Sequence, residues 1–209
     1  MNNYQDTENK IIGKLLKTPL ESKSLHQLSK ETKLSYVTVH KIIPNLIKKK
    51  IIKLEKKGKS NLISIDFDNC PIYNLSSAML YEREFFLKKD VQLTIFLREL
   101  EESLSNNFYS LILFGSYAKG NYTKKSDIDL LFIIPSRDFI DKYKEKIDKV
   151  VRLHTSNKKH IHIVSVEDFM DMLNNKNTLG RSAFQNGIIL FGTEQYYAMV
   201  KKYVRRQGY

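Results

Sequence analysis

The sequence predicts a chain in two parts: a small helical unit that ends in a β-hairpin, then an α/β (α+β) domain with a small mixed sheet. Apolar residues recur at helical spacing through the first fifty residues and then alternate with polar ones around a glycine turn. From residue 108 onward, short apolar runs alternate with amphipathic helical segments, as they do in α/β folds. A length of 209 residues leaves room for two domains.

The chain is strongly basic, with a formal net charge of +12. Residues 1–66 hold 14 lysines, no arginine and six acidic residues, which places +8 in the first third. This balance favours polyanionic partners such as nucleic acid or nucleotides, although lysine-rich solvated surfaces are an alternative. No apolar run approaches the roughly 20 residues that span a bilayer, and no membrane partner is expected. The single cysteine, Cys70, and the polar first ten residues predict a cytoplasmic protein.

The first part of the chain is predicted to form three helices and a hairpin. Apolar residues at helical spacing indicate a first helix that stops at Pro19. Ser24 and Ser35 are suitable N-caps for a second helix, to about residue 32, and a third, to about residue 49. Pro44 lies inside the third helix and should bend or shorten it. Residues 52–66 alternate apolar and polar side chains around a turn, which predicts the hairpin.

In this order of elements, residues 24–66 resemble a winged helix-turn-helix. The resemblance implies that the third helix enters a DNA major groove and that the hairpin is the wing. The residues then expected to bind DNA are Tyr36, Thr38, His40 and Lys41 on the helix, and Lys56, Lys57 and Lys59 on the wing. Such a domain can also serve dimerisation or protein contact, so a homodimer or a protein partner is the alternative to duplex DNA or another nucleic acid.

The domain boundaries follow from composition. We expect the winged helix-turn-helix domain over residues 1–68, a linker over 69–79, where turn-forming residues cluster, and the second domain over 80–209. Apolar spacing over residues 79–106 predicts one long helix that braces the domains or pairs with its copy in a dimer. In the second domain, strands are predicted over 108–114, 128–134, 160–166 and 188–191, with helices over 116–120, 138–153, 167–173, 178–185 and 196–206.

Two carboxylates, one residue apart, stand at the start of the 128–134 strand. Because side chains alternate along a strand, Asp127 and Asp129 should point to the same side. Two carboxylates held so close repel each other unless a cation lies between them, and Mg²⁺ prefers oxygen ligands. The pair therefore predicts a seat for Mg²⁺ or Mn²⁺.

A Gly-Ser pair lies where the preceding strand gives way to a short helix. Gly115 lets the backbone approach a phosphate, and the Ser116 hydroxyl adds a further contact. Lys119 and Lys125, with Lys124, lie between this pair and the two acids and can offset the charge of a triphosphate.

The stretch FGSYAKGNYTKKSDIDLLFI resembles the nucleotidyltransferase superfamily that includes DNA polymerase beta, in particular its minimal members, whose pattern is Gly-Ser, ten residues and Asp-x-Asp. The resemblance covers about residues 85–195. It implies that Gly115 and Ser116 hold a nucleoside triphosphate, with ATP expected, and that Asp127 and Asp129 bind the metal. It also implies transfer of a nucleoside monophosphate to a hydroxyl of a protein or nucleic acid. Minimal members often act as antitoxins, which makes a toxin-like protein a further expected partner.

The family normally has a third carboxylate on the next core strand, but this strand has the sequence HIHIV. His162 is the best match to the missing residue, and His160 is the other inward position. His162 either acts as a base or metal ligand, or is a hydrogen-bonded strand histidine in a domain with weak or lost catalysis. Glu167 and Asp168 lie beyond the strand and are expected to cap the next helix. Two functions stay open: a nucleotidyltransferase, and a DNA-binding regulator whose nucleotidyltransferase domain is catalytically weak or inactive.

Overall fold

A computed structural model describes residues 3–58, 60–105, 107–123, 126–156 and 158–207. The chain divides into two compact units, one made of Met1–Glu82 with Tyr196–Tyr209 and the other of Arg83–Gln195. This division differs from the predicted domains, because the segment from residue 196 onward groups with the N-terminal unit. Within the described residues, no helix combines the length and the apolarity needed to cross a membrane.

The first unit has the predicted three helices and hairpin in order, with an additional two-residue strand before the second helix. These are α1 (Asn3–Leu16), β1 (Lys23–Ser24), α2 (Leu25–Thr32), α3 (Tyr36–Lys48), β2 (Ile52–Lys57) and β3 (Ser60–Ile65). The strands form an antiparallel sheet in the order β1-β3-β2. Ser24 forms a capping box with Gln27, and the Ser35 hydroxyl accepts the backbone N–H of Thr38, so both N-caps are confirmed.

The third helix is not shortened by its proline. Pro44 lies inside α3, and the helix continues to Lys48. Pro44 is exposed, so water can satisfy the carbonyl that loses its helical partner. The inner side of the same helix buries Val39, Ile43 and Leu46 in the core of the first unit, and this burial holds the helix in place.

The segment predicted as a linker is largely helical. Helix α4 (Ile72–Leu87) begins directly after Pro71, a residue that suits the start of a helix because its missing N–H is not needed there. Its first turns bury Leu75 and Ala78 completely. Burial of these side chains stabilises a helix where composition alone suggested a connecting loop.

The single long helix predicted over residues 79–106 is in fact two. Helix α4 ends at Leu87, and α5 (Val91–Ser103) follows. Asp90 separates them: its backbone is extended, and its carboxylate accepts the N–H of Leu93 and so caps α5. Apolar periodicity continues across the break, which is why the pattern did not show it.

The second unit is built on a four-stranded sheet. Its strands are β4 (Ser110–Phe114), β5 (Ile128–Ile134), β6 (Lys159–Ser165) and β7 (Ile188–Phe191), in the order β6-β5-β4-β7. Its remaining helices are α6 (Gly115–Lys119), α7 (Ile140–Leu153), α8 (Val166–Asn174) and α9 (Leu179–Phe184). Strands β5 and β6 are parallel and the other pairs antiparallel, which confirms the small mixed sheet. The two central strands, β4 and β5, are almost completely buried, as their unbroken apolar sequences require.

The last helix, α10 (Thr193–Gln207), has a basic C-terminal half. The Lys201 ammonium donates to the backbone carbonyl of Cys70 at 2.6 Å, and the Arg205 guanidinium donates to that of Asp68 at 2.9 Å. Val200 and Val204 are buried on the same helix. These two cations therefore anchor the turn before α4 within the first unit, which explains why the helix groups with it.

Candidate active site

Asp127 and Asp129 lie on one side of the chain at the start of β5. Asp127 precedes the strand and Asp129 is its second residue. Both carboxylates face the same imidazole ring, that of His160. Their side chains are 39% and 27% exposed, so a solute can reach both.

Gly115 lies directly against one of these acids. Strand β4 pairs antiparallel with β5 so that Phe114 is opposite Asp129, which brings the residue after Phe114 next to that carboxylate. A methyl group on Gly115 would meet Asp129 Oδ2 at 2.1 Å, far inside van der Waals contact. The backbone φ of Gly115 is +70°, a conformation that favours glycine. Both features make glycine the residue that fits this position.

Gly115 is the first residue of α6, a helix of only five residues that ends at Lys119 with Gly120 as its C-cap. Ser116 is half-buried beside the two acids' strand, and Lys119 is exposed. Tyr117 is buried, and its ring stacks on that of Tyr122 with centroids 4.1 Å apart. The stack fixes the turn that leads from Gly-Ser toward Asp-x-Asp. Lys124 and Lys125, predicted to face a triphosphate, lie outside the described residues.

The imidazole of His160 spans the two carboxylates. Strands β5 and β6 are parallel, and their register places Asp129 opposite His160. Its Nδ1 lies 3.3 Å from Asp129 Oδ1, and its Nε2 lies 3.6 Å from Asp127 Oδ2. The ring is 40% exposed. One nitrogen faces each acid, so the ring lies between the two carboxylates.

His162, the predicted match to the third carboxylate, lies elsewhere on the strand. It is opposite Leu131, and its ring packs against that of Phe114 with centroids 6.0 Å apart. The histidine that touches the acid pair is thus His160, two residues earlier. Both histidines were predicted at inward positions, and only the register between β5 and β6 shows which of them faces the two acids.

Glu167 and Asp168, the acidic residues that follow β6, belong to the first turn of α8. Asp168 forms a capping box with Ser165 at the start of α8, as predicted. Its carboxylate also accepts from the Arg137 guanidinium, at 3.0 Å from Nε. Hydrogen bonds from Arg137 and Ser165 lower the pKa of Asp168 to about 2. Asp168 is therefore a cap and an ion-pair partner, and Glu167 is an exposed residue of the same turn.

The side chains of Asp127, Asp129 and His160 offer atom types that divalent cations bind, but they do not form a complete metal site. Two carboxylates and one imidazole face one another across a small, partly exposed space. Within the described part of the chain, no group of three or more acidic, histidine or cysteine side chains is placed so that it could hold a metal ion. Oxygen ligands of this kind hold Mg²⁺ or Mn²⁺, so the carboxylates of Asp127 and Asp129 are of the type that the expected cation binds.

The residues predicted to bind DNA lie on the outer side of the first unit. Tyr36, His40 and Lys41 are exposed on α3 and Thr38 is half-buried, while Lys56 and Lys57 are exposed on β2. The rings of Tyr36 and His40 stack with centroids 6.2 Å apart, and the Thr38 hydroxyl is 2.8 Å from that of Ser35. Lys59 lies outside the described residues.

Comparison with known proteins finds similarities that lie mostly within the second unit. Residues 95–181 match the family model described as "Nucleotidyltransferase domain". Two proteins of Methanocaldococcus jannaschii are similar to part of the chain. "Putative protein adenylyltransferase MJ0141" is 36% identical over 55 residues, which is 26% of this chain and 54% of that protein. "Putative protein adenylyltransferase MJ0604" is 45% identical over 38 residues, 18% of this chain and 38% of that protein. The match thus spans about half of one relative and less of the other, and residues 95–181 of this chain are similar to a nucleotidyltransferase domain.

Proposed function

We propose that this protein transfers a nucleoside monophosphate from a nucleoside triphosphate to a hydroxyl group on an acceptor protein. The observation that carries the proposal is the contact between Asp129 and Gly115, with Asp127 on the same side, inside the segment that matches the nucleotidyltransferase model. This arrangement places two carboxylates that can bind a cation beside a turn that has no room for a side chain. Such a pairing suits a triphosphate carried with its metal ion.

Each residue of the site has a separate role in this proposal. Asp127 and Asp129 hold the cation, which when bound polarises the phosphates and stabilises the departing pyrophosphate. Gly115 leaves room for the Asp129 carboxylate beside the turn, and the Ser116 hydroxyl and the Lys119 ammonium contribute a hydrogen-bond donor and a positive charge. The acceptor oxygen forms a bond to the α-phosphorus, the bond to the bridging α–β oxygen breaks, and pyrophosphate leaves. The hydroxyl proton passes to a neighbouring base or to water.

The acceptor is proposed from the relatives. Both similar proteins carry the name "Putative protein adenylyltransferase", which describes transfer of an adenylyl group to a protein for those proteins. By analogy we propose AMP transfer to a Ser, Thr or Tyr hydroxyl of a partner protein. A small toxin-like protein is one such acceptor, since minimal nucleotidyltransferases often act as antitoxins.

The first unit is proposed to be a winged helix-turn-helix. Its helices and its three-stranded antiparallel sheet follow in the order expected of that fold. Its outer surface exposes Lys41, Lys56 and Lys57, and residues 1–66 carry a formal charge of +8 from 14 lysines and six acids. These features support a contact with duplex DNA, where lysines would meet phosphates.

A DNA-binding regulator with weak or absent catalysis is the second candidate function. The observation that favours it is the sequence of β6, which has His160 opposite Asp129 and His162 opposite Leu131 and no acidic residue at either position. In that case the second unit would bind a nucleotide without transferring it.

An assay with labelled ATP distinguishes the two candidate functions. The chain is incubated with cell extract, Mg²⁺ or Mn²⁺, and ATP labelled at the α-phosphate. Transfer of label to a protein, abolished by Asp127→Asn with Asp129→Asn and retained in Asp141→Asn, supports the first function. Asp141 is a matched control because it is an exposed aspartate in the first turn of α7. No transfer with any metal, together with duplex binding that weakens steeply with salt, supports the regulator.

A further inference from the structure

We propose that the free edge of β6 binds an extended segment of the acceptor protein as an additional strand of the sheet. Strand β6 (Lys159–Ser165) is the outer strand in the order β6-β5-β4-β7, and no other described strand pairs with it on that side. The identity of the segment as an acceptor rests on the proposed function, whereas its extended conformation follows from the strand that it joins.

The backbone hydrogen bonds of β6 leave every second residue turned toward this edge. The N–H of Ile128 on β5 donates to the carbonyl of Lys158, at 2.9 Å. In a parallel pair, alternate residues direct both backbone groups to the same neighbouring strand, so from Lys158 onward the even-numbered residues bond to β5. The N–H and C=O groups of Ile161 and Ile163 therefore point outward. They form a row of donors and acceptors that matches the backbone of an extended chain.

The edge of β6 lacks the devices that keep edge strands unpaired in soluble proteins, namely several lysines, a proline, a bulge or a short length. Such devices occur at other edges of this chain. Strand β2, at an edge of the first unit's sheet, exposes Lys53, Lys56 and Lys57, and β7 has only four residues. Strand β6 has seven residues, contains no proline, pairs with β5 without a register break and has its one lysine at its first position. Its edge is therefore open to pairing.

The position of β6 beside the two acids favours an acceptor segment as the added strand. The ring of His160, on this strand, has its nitrogens 3.3 Å and 3.6 Å from oxygens of Asp129 and Asp127. Neighbouring strands lie about 4.8 Å apart, so a segment on β6 runs about 10 Å from β5, a gap that the acceptor side chain and the bound phosphates together fill. Because side chains alternate, every second residue of the segment points to the side of the acids. A Ser, Thr or Tyr level with His160 then directs its hydroxyl toward them.

The remaining side chains along this edge indicate the composition of the segment. Ile161 and Ile163 are half-buried, and they alternate with the histidines, so they lie on the other side of the sheet. Apolar residues next to each other on adjacent strands are favourable, so the hydroxyl residue should have Val, Ile or Leu on both sides. Lys158 is exposed just before the strand, which favours an acidic residue at that end of the segment.

Amide hydrogen exchange, followed by NMR, tests this pairing without any turnover. The probe is the peptide Glu-Val-Thr-Val-Thr-Val-Glu, added at millimolar concentration to the isotope-labelled full chain. In the free chain, the amides of Ile161 and Ile163 should exchange at least about tenfold faster than those of His162 and Val164, which bond to β5. The peptide should slow the two outer amides about tenfold or more and leave the other two unchanged.

Matched controls isolate the pairing of the main chain. The same peptide, N-methylated at its central residues, cannot donate hydrogen bonds and should leave every amide of β6 unchanged. Ile161→Pro removes one outward N–H but no bond to β5, and it should weaken peptide binding about tenfold or more. Ile161→Val keeps that N–H and should bind the peptide as the parent does. Circular dichroism and the unfolding midpoint verify that each variant is folded, and exchange in the parent chain needs no variant.

Three outcomes would overturn the inference. Outer amides that are protected in the free chain at every concentration would mean that the edge is covered within the molecule. Protection that grows with chain concentration, with a dimer in analytical ultracentrifugation, would assign the edge to a second copy. Outer amides that the peptide leaves unchanged would remove the docking site. Protection by the peptide, with no α-label transferred to any protein, would support the docking and contradict the proposed function, so the two failures are distinguishable.

Discussion

The Asp129 carboxylate lies so close to the α-carbon of Gly115 that an added methyl group would meet Oδ2 at 2.1 Å. This contact joins two motifs that are separated by ten residues in the sequence. It depends on the antiparallel register of β4 and β5, in which Phe114 is opposite Asp129.

The first prediction concerns this contact. Gly115→Ala should displace the Asp129 carboxylate and reduce Mn²⁺ binding and label transfer at least about tenfold. It should also lower the free energy of unfolding by more than the roughly 1–2 kcal/mol that a left-handed backbone costs an alanine. Gly120→Ala is the matched control, because Gly120 has φ +76° and nothing lies within 4 Å of an added methyl. Equal effects of the two substitutions on binding would show that the contact is irrelevant to the site.

A second prediction concerns a buried charge in the first unit. Glu8 on α1 is 1% exposed, and its carboxylate accepts from Lys49 Nζ at 2.8 Å and from Asn45 Nδ2 at 2.6 Å. Lys49→Met leaves that carboxylate without its cation. We expect a loss of about 2 kcal/mol, below the roughly 3–5 kcal/mol of fully buried pairs because the Lys49 side chain is 42% exposed.

Urea unfolding measures this loss, and the neighbouring exposed residue provides the control. Lys48→Met removes the same charge one residue earlier on α3 and should change stability by less than about 0.5 kcal/mol. The double change Glu8→Gln with Lys49→Met should recover part of the loss, because no buried charge is left alone. A double variant less stable than Lys49→Met would contradict the pairing.

The third prediction concerns the acid side of the pH range. Asp168 has a pKa of about 2 because Arg137 and Ser165 hydrogen-bond its ionised form. A carboxyl whose pKa is lower in the folded chain stabilises the fold above its unfolded pKa, near 4, and loses that contribution as the pH falls toward 2. Arg137→Gln should raise the pKa of Asp168, as followed by NMR titration of its carboxyl carbon. Arg152→Gln, at an exposed arginine of α7, should leave that titration where it is.

The stability of the Arg137→Gln variant provides an independent check. Its deficit relative to the parent should be present at neutral pH and should shrink as the pH falls from about 4 to about 2, because Asp168 of the parent then begins to lose its ionised form. A deficit that stays constant through this window would mean that the ion pair does not lower the pKa.

The fourth prediction concerns the single cysteine. Cys70 is completely buried, and burial raises the pKa of its thiol to about 12. At pH 8 only about one thiol in 10⁴ is then ionised, against roughly one in four for an exposed cysteine. A disulfide reagent should therefore modify the folded chain very slowly and the urea-unfolded chain at once. Fast modification of the folded chain would contradict the burial of this turn.

Strand β5 and the break between α4 and α5 show which parts of the fold could be predicted from the sequence. Strand β5 was predicted at its observed bounds because its apolar run is unbroken and both ends are marked, by Asp127 before it and Pro135 after it. The break between α4 and α5 was missed because the apolar spacing runs through it, although Asp90 before an apolar helical segment is a recognisable N-cap.

The features that the sequence could not predict depend on contacts between residues that are far apart in the chain. Whether His160 or His162 faces the acids depends on the register between β5 and β6, which no local pattern encodes. The buried Glu8 lies in a polar stretch that gives no sign of burial, and its partners are 37 and 41 residues away. The grouping of α10 with the first unit likewise depends on contacts across more than a hundred residues, such as Lys201 with Cys70.

The central claim, that Asp127 and Asp129 with the Gly115 turn form a centre for nucleotidyl transfer, is tested most directly by the position of the label. Two parallel reactions use ATP labelled at the α-phosphate and at the γ-phosphate, each with Mn²⁺ and cell extract. The account predicts that only the α-label becomes bound to protein, that pyrophosphate is released in equal amount, and that both signals vanish in Asp127→Asn with Asp129→Asn. Transfer of the γ-label, or α-label transfer that survives the loss of both aspartates, would contradict it.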